Sequence, residues 1–457
     1  MTWVTQQDAA LLTDLYELTM ADSYHRAGMT DEATFDLFVR HLPGRRNFLI
    51  ACGLEEALDY LENLGFSDES IAYLDSLDLF SDSFLEFLAT LTFTGTVWAI
   101  PEGEIAFAAE PLLRVTAPLV EAQIVESFLL NCIAFQTMVA SKAARMAIAC
   151  QGKTFVEMSL RRAHGTDAAL KAARAAYVGG ASATSNVLAG RLYGLPVMGT
   201  MAHSYVMAFD DELRAFRTFA GHFPGRAVLL IDTFDTEEGA RRAVQVAREL
   251  ARSGRKLQGV RLDSGDVSLL SRSVRKILDH DGFHDVNIVV SGDLDEYQIR
   301  ELIEQDAPID SFGVGTQLGT SADEPFLGAV YKLVVQGGQA KIKLSTGKLT
   351  IPGSKQVFRV PAQGRYDHDV MALEHERVDD GRQLLEQVMR GGRRVAAPEP
   401  LDALQNRCRN ALEGLPDPLR SLVERAEYPV HYSKELSSLI AQARSALGRP
   451  AQGSAPI

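Results

Sequence analysis

Apolar positions along the chain follow a helical rhythm in some stretches and a short-strand rhythm in others. Residues 8–28 place Leu11, Leu12, Leu15, Leu18 and Met20 mostly on one helical face, with Thr13, Asp14 and Tyr16 close by and Gly28 as the stop. Residues 33–39 alternate as a strand, and residues 40–47 form a loop carrying Arg40, His41, Arg45 and Arg46. Amphipathic helices are predicted over 52–64, 67–79 and 81–91, then a strand over 95–100 and a strand pair up to Thr116. From Glu121 a long apolar helix runs through Phe128, Leu129, Ile133 and Phe135 toward Ala149.

After that helix the pattern changes. Residues 154–160 read as a strand entering Arg161-Arg162, and residues 167–177 as an Ala-rich helix. Residues 182–192 read as another helix, and 196–200 as a strand leading to His203. Four clearer units follow. Residues 227–231 end at Asp232-Thr233, 257–262 at Asp263, 286–290 at Ser291-Gly292-Asp293, and 309–314 at Gly315-Thr316. Helical patterns over 237–252, 267–280 and 295–305 follow the first three. A strand, a polar tip and a helix recurring at intervals of roughly 30 residues predict an irregular (β/α) barrel, with a doubly wound open sheet as the alternative. Beyond Phe326 the chain turns to strands over 330–335, 340–344 and 356–360, with Gly337-Gly338 as a hairpin turn, and closes with a helix over 433–447.

These rhythms divide the chain into an N-terminal α/β domain over 1–120, a barrel domain over 121–330, a C-terminal segment over 331–447 that packs back on the first domain, and a flexible tail over 448–457. A 457-residue chain with 46% apolar content can bury a core of that size. Its net charge of -14 argues against nucleic acid or an anionic membrane as partner, so any phosphate must be met by a few local cations and backbone N–H groups. The cysteines, Cys52, Cys132, Cys150 and Cys408, are scattered without zinc spacing and fit reduced thiols in a cytoplasmic protein. No apolar run reaches the length of a membrane span, and no signal peptide is expected.

Candidate chemistry collects at the strand tips. Arg261-Leu262-Asp263-Ser264-Gly265-Asp266 ends an apolar strand in two carboxylates. Ser264 and Asp266 are expected as helix N-caps, while Asp263 beside Arg261 could hold a sugar hydroxyl and a phosphate together. Gly199-Thr200-Met201-Ala202-His203-Ser204 leaves room for a ligand beside an imidazole. Ser291-Gly292-Asp293 and Gly313-Val314-Gly315-Thr316-Gln317-Leu318-Gly319-Thr320 supply the close backbone approach of a phosphate cradle. A barrel lyase or isomerase acting on sugar phosphates would use the same cradle but needs a Schiff-base lysine or a metal cluster, and none is found at a tip. A catalytically silent nucleotide-binding regulator is a further alternative.

The tips, together with Leu11-Leu12-Thr13-Asp14-Leu15-Tyr16-Glu17-Leu18-Thr19-Met20 and Ser185-Asn186-Val187-Leu188-Ala189-Gly190, resemble the nicotinate phosphoribosyltransferase family. Lys355-Gln356-Val357-Phe358-Arg359 and a helix-like Asp369-Val370-Met371-Ala372-Leu373-Glu374 are similar to later family segments. The resemblance implies a type II phosphoribosyltransferase fold, an irregular barrel plus a domain built from both chain ends. It implies nicotinate, phosphoribosyl pyrophosphate and ATP as substrates, Mg2+ held mainly by substrate phosphates, and a homodimer with shared active sites. It also implies His203 as the phosphorylated histidine, Asp263 as a second catalytic group, and Tyr16 stacking on the pyridine ring. Arg161, Thr200 and Asn186 would line the nicotinate site, with Arg261, Ser291, Gly292, Asp293, Gly315 and Thr316 around the ribose and phosphates. Met158-Ser159 departs from the family's aromatic-glycine pair, so either Arg161 or Arg162 meets the carboxylate. A bound zinc is not expected, and nicotinamide is the rival substrate, one whose enzymes resemble this chain but set an acidic residue near the amide where Ser185-Asn186 stands.

Overall fold

The computed structural model describes residues 4–5, 7–344 and 350–446, so the expected tail and the final residue of the last predicted helix, Leu447, lie outside the described residues. The chain divides into two compact units, one made of the residues up to Met138 together with those from Phe326 onward, the other of Val139–Pro325. Among the described residues no helix is long and apolar enough to cross a membrane.

The first unit is built from both ends of the chain. Its seven-stranded sheet sets Ala329–Gln336 beside Glu32–Val39 and Glu386–Arg390 beside Thr96–Ala99, with Pro111–Pro118 between the two pairs. A second, four-stranded sheet contains Lys355–Ala362 and Arg365–Leu373, so the segment expected as helix over 369–374 is a strand. Pairing decides the matter, because this segment makes ladders with Lys355–Ala362 on one side and Val430–Tyr432 on the other, and Asp369, Met371 and Ala372 are buried between them. The first predicted helix is also interrupted: a short turn at Ala9–Leu11 precedes Leu15–Arg26. Thr13 and Ser127 both donate to Glu17, which is fully buried, and this pins the start of the second piece.

Arg359 lies at the centre of this unit, 1% exposed, donating to both oxygens of Asp369 at 3.0 and 2.7 Å and to Glu104 at 3.0 Å. Glu110, also buried there, has its carboxyl pushed well above the usual range, first by burial and then by the charge of Asp369. Lys355 is likewise buried against Asp36 at 2.7 Å. The Lys355–Arg359 motif is therefore the ionic core of the first unit.

The second unit carries a six-stranded, wholly parallel sheet. Its strands are β1 (Thr154–Glu157), β2 (Ala183–Thr184), β3 (Val228–Leu230), β4 (Gly259–Leu262), β5 (Asn287–Val290) and β6 (Ser311–Val314), in the spatial order β2-β1-β6-β5-β4-β3. The order is cyclic, as barrel connectivity requires, whereas a doubly wound sheet reverses at a switch point. Yet β2 and β3 are the two edges and do not pair, so the expected closed barrel is corrected to an open parallel sheet. The strand expected over 196–200 contributes a single bridge, Thr184 to Val197. Pro196 has no N–H to donate and Gly199 no side chain to pack, which leaves that stretch a poor strand. Ala183–Thr184, expected as part of a helix, instead form β2, and the helix begins only at Val187.

Strand residues such as Val260, Leu262, Ile288, Val290 and Phe312 are completely buried, as parallel strands covered by helices demand. The helices Thr236–Arg252, Val267–His280 and Glu296–Glu304 follow β3, β4 and β5. Asp235, Asp266 and Asp295 cap them, accepting from the backbone of Glu238, Leu269 and Gln298. Each cap stabilises its helix by about 1 kcal/mol. At every one of these tips the later acid is thus committed to the helix, and the earlier one, Asp232, Asp263 or Asp293, stays at the sheet edge. Ser264 is not a cap; its hydroxyl donates to Asp232.

Replacing Arg359 with Met should leave Asp369 buried without its counter-charge and cost about 3–5 kcal/mol. Urea unfolding followed by circular dichroism measures this, and a midpoint equal to that of the parent would show the ion cluster to be dispensable.

Candidate active site

Arg261 sits on β4, one residue before the last, so its side chain points to the opposite side from Val260 and Leu262. All three guanidinium nitrogens are engaged. Nε donates to Ser291 Oγ at 2.8 Å, Nη1 to Thr200 Oγ1 at 3.0 Å and to the Met201 carbonyl at 3.2 Å, and Nη2 to Asp263 Oδ1 at 2.7 Å. Ser291 also donates to Asp263 Oδ1. Burial alone would raise the Asp263 pKa, but the hydrogen bonds from Ser291 and Arg261 and the guanidinium charge outweigh it and hold the carboxyl below its ordinary value. These bonds favour the ionised form of the acid, whose second oxygen is turned to the imidazole.

That imidazole belongs to His203, the first residue of the short helix His203–Met207. Its Nε2 lies 3.8 Å from Asp263 Oδ2, and its Nδ1 lies 3.2 Å from Thr233 Oγ1. The ring remains 39% exposed, open to a ligand. Asp232 underpins the same tip, with Oδ2 accepting from the Asp263 backbone N–H at 2.8 Å and from the Ser264 hydroxyl. Its other oxygen is buried without a hydrogen-bond partner. Asp232 and Thr233 were visible in the sequence as the end of β3, but their role depends on groups about 30 residues away in the chain and so carried no local signal.

The glycine-rich stretches expected to cradle phosphate lie on the neighbouring tips. Gly292 has φ +104°, and a Cβ there would sit 2.3 Å from the Asp263 carbonyl oxygen, so only glycine fits between β5 and β4. Gly313 faces Ser291 and Met158, and a Cβ on it would stand 3.1 Å from Ser291 Cβ. Gly315 and Thr316 open the short turn after β6, and Gly315 approaches the Met158 carbonyl in the same way. Asp293 is exposed with φ +50°. On β1, Glu157 is 1% exposed and accepts from the Ser159 backbone and the Thr184 hydroxyl, fixing the loop that leads to Arg161 and Arg162. Both arginines are exposed.

Asn186 stands apart from this network. It is 2% exposed, its Oδ1 caps the helix Val187–Tyr193 through Ala189 N–H at 3.2 Å, and its Nδ2 reaches the Ala169 carbonyl at 3.5 Å. Tyr16 belongs to the first unit, where it is 47% exposed and has its hydroxyl pKa raised by burial and by the nearby charges of Glu126, Glu17 and Asp14. Within the second unit, His203, Thr200, Arg261, Asp263 and Ser291 form one connected cluster, with Gly292 packed directly behind Asp263.

An open parallel sheet that gathers an imidazole, a paired carboxylate and glycine-rich turns at its carboxyl edge defines an α/β protein of the class that receives ligands at its strand tips. Three family descriptions match along the chain. They are the nicotinate phosphoribosyltransferase N-terminal domain over residues 11–134, the nicotinate phosphoribosyltransferase family over 154–345, and its C-terminal domain over 380–440. The chain is 44% identical to nicotinate phosphoribosyltransferase pncB2 of Mycobacterium tuberculosis over 445 residues, covering 97% of this chain and 96% of that one. It is 44% identical to the nicotinate phosphoribosyltransferase of Bacillus subtilis across 82% of this chain and 78% of the relative. The crystal structure of human nicotinic acid phosphoribosyltransferase matches with a TM-score of 0.84 and 31% identity, covering 94% of this chain and 99% of that one. The chain belongs to the nicotinate phosphoribosyltransferase family and is an enzyme.

Two outcomes follow from the geometry. Gly292→Ala should force a Cβ against the Asp263 backbone and lower both thermal midpoint and turnover, whereas Gly282→Ala, at a positive φ in open space, should affect stability alone. The folded pKa of Asp263 lies below the unfolded value of about 3.9. Its stabilisation is therefore present above that pH and lost as pH falls through the folded value. The difference in thermal midpoint between the parent and Asp263→Asn should be flat from about pH 5 to 8 and shrink below about pH 4; a gap that instead widened on acidification would contradict the assignment.

Proposed function

We propose that this enzyme forms nicotinate mononucleotide and pyrophosphate from nicotinate and phosphoribosyl pyrophosphate, in the salvage route of NAD biosynthesis, with ATP hydrolysed through a phosphohistidine at His203. The observation that carries the reading is the single network running from His203 through Asp263 and Arg261 to Ser291 and Thr200, within a chain of this family.

In the transfer, the bond from the anomeric carbon to pyrophosphate breaks and its electron pair leaves with the pyrophosphate oxygen. The nicotinate ring nitrogen supplies the pair for the new bond. Positive charge passes through the anomeric carbon between these events, and the ionised Asp263 is placed to stabilise it. Mg2+, held mainly by the substrate phosphates, neutralises the leaving group when bound. The buried, unpartnered oxygen of Asp232 suits that ion or one of its waters. Ser291, Gly292, Asp293, Gly315 and Thr316 surround the ribose and phosphates. Arg161 or Arg162 meets the nicotinate carboxylate with paired charge-assisted hydrogen bonds, and Thr200 lines the same pocket. Arg261, with every nitrogen engaged, acts by holding Thr200 and Asp263 in place, and Asn186 acts by capping. Tyr16 offers a flat apolar face to the pyridine ring in a homodimer whose active sites are shared.

In the coupled step a nitrogen of His203 attacks the γ-phosphorus of ATP and the bond to ADP breaks, ADP leaving with the electron pair. Water later takes the phosphoryl group, releasing phosphate and free imidazole. The added dianion beside the site orders nearby basic loops. The edge strands β2 and β3 do not pair, and side chains join the loops that follow them at the carboxyl edge of the open sheet. Arg261 reaches from β4 to Thr200 and Met201, and Thr233 meets His203.

Incubation with nicotinate, phosphoribosyl pyrophosphate, Mg2+ and ATP should yield the mononucleotide, with nicotinate preferred over nicotinamide by on the order of 100-fold in kcat/KM. Equal efficiency on the two would reject the assignment. His203→Ala should lose ATP coupling and keep residual phosphoribosyl transfer; ATP hydrolysis unchanged in that variant would remove His203 from its role.

A further inference from the structure

Lys142 lies on the helix Glu126–Cys150, is 1% exposed, and carries a charge the chemistry above does not use. Its Nζ is 2.5 Å from Glu296 and 2.8 Å from Asp323. Glu296 opens the helix that follows Ser291-Gly292-Asp293, and Asp323 lies just past the Thr316–Gly319 turn. One ammonium thus grips the two elements that continue from the two cradle tips. Arg145, from the next turn of the same helix, donates to the other oxygen of Glu296 at 2.9 Å and to the Tyr297 hydroxyl at 2.9 Å. Burial would raise the Glu296 pKa, but the charges of Lys142 and Arg145 bring it below its ordinary value, so the carboxylate stays ionised.

A buried cation is held by the partners that compensate its charge. Here they come from the start of a helix, Glu296, and from the segment after the Thr316–Gly319 turn, Asp323, so one compact ammonium links both. We propose that Lys142 is a positioning residue that sets the spacing of the Ser291–Asp293 and Gly315–Thr316 tips, and through it the affinity for the phosphates of phosphoribosyl pyrophosphate. The inference rests on the reading that those tips hold phosphate. With the ammonium gone, Glu296 and Asp323 repel each other and the tips spread. The nicotinate end of the site, attached to β1 and to the loop after Val197, is not directly linked to Lys142.

The test compares the parent with Lys142→Met and with the milder Asp323→Asn, which keeps the Arg145–Glu296 pair. In both variants the KM for phosphoribosyl pyrophosphate should rise, by about tenfold in Lys142→Met, while the KM for nicotinate stays within about twofold. Calorimetric binding of inorganic pyrophosphate should weaken by a similar factor. If Lys142→Met fails to fold, Asp323→Asn decides. Unchanged pyrophosphate binding in the folded variants, or KM values for both substrates rising together, would overturn the proposal. Failure of the parent itself to make mononucleotide would overturn the underlying reading instead.

Discussion

A single guanidinium organises the mouth of the second unit. Arg261 reaches Ser291, Thr200, the Met201 carbonyl and Asp263 from β4, so four separate chain positions share one rigid donor plane. The fork geometry matters because it fixes direction as well as distance. Asp263 cannot rotate without breaking bonds from both Arg261 and Ser291, and its free oxygen is thereby aimed at His203. The residues after Val197 gain most. They make one backbone bridge to the sheet, yet Thr200 and Met201 are held by the guanidinium in place of a strand ladder.

The first unit solves a similar problem without any visible chemistry. Arg359 is surrounded by Asp369, Glu104 and the ring of Tyr366, whose centroid lies 4.6 Å from the guanidinium carbon. Such a cluster is costly to desolvate and costly to break, and its gain is in uniqueness of packing. Lys355 and Asp36 repeat the arrangement where Lys355–Ala362 begins. In each unit, then, a buried cation determines which strands and turns may sit together.

Much of the second unit was legible because β3 to β6 are apolar runs that end abruptly in polar residues. Val260 and Leu262 announce β4, and the acids that follow announce its tip. The sequence separates Asp263, beside Arg261 at the strand tip, from Asp266, which caps the following helix as expected. Ser264, expected as a second cap, donates to Asp232 instead, a partner 32 positions away. Asn186, a motif position that the resemblance associates with the substrate, has both ends of its amide engaged, in a helix cap and at the Ala169 carbonyl. Asp232, Thr233 and Lys142 were not legible, because their partners lie from 30 to 181 positions away, as in Asp263–Asp232, Thr233–His203 and Lys142–Asp323. The seam between β2 and β3 was missed because a single proline and glycine in residues 196–199 are enough to spoil a strand that otherwise looks apolar.

The acidic balance of the chain sharpens how it can hold anions. At a net charge of -14 a polyphosphate substrate meets overall repulsion, but over more than about 8 Å that field is screened at physiological salt, so the local arrangement decides. The cations nearest the tips already have counter-charges: Arg261 has Asp263, Lys142 has Glu296 and Asp323, and Arg145 shares Glu296. Their positive charge positions the tips and is not left over for the ligand. Anion recognition in the proposed reaction therefore falls to the exposed Arg161 and Arg162 and to backbone N–H dipoles at the glycine-rich turns. Dipoles of this kind attract phosphate without introducing a charge that must be compensated when the site is empty. That is why glycines at positions 292, 313 and 315, with their close approaches to neighbouring backbone and side chains, matter to this site as much as its charged groups do.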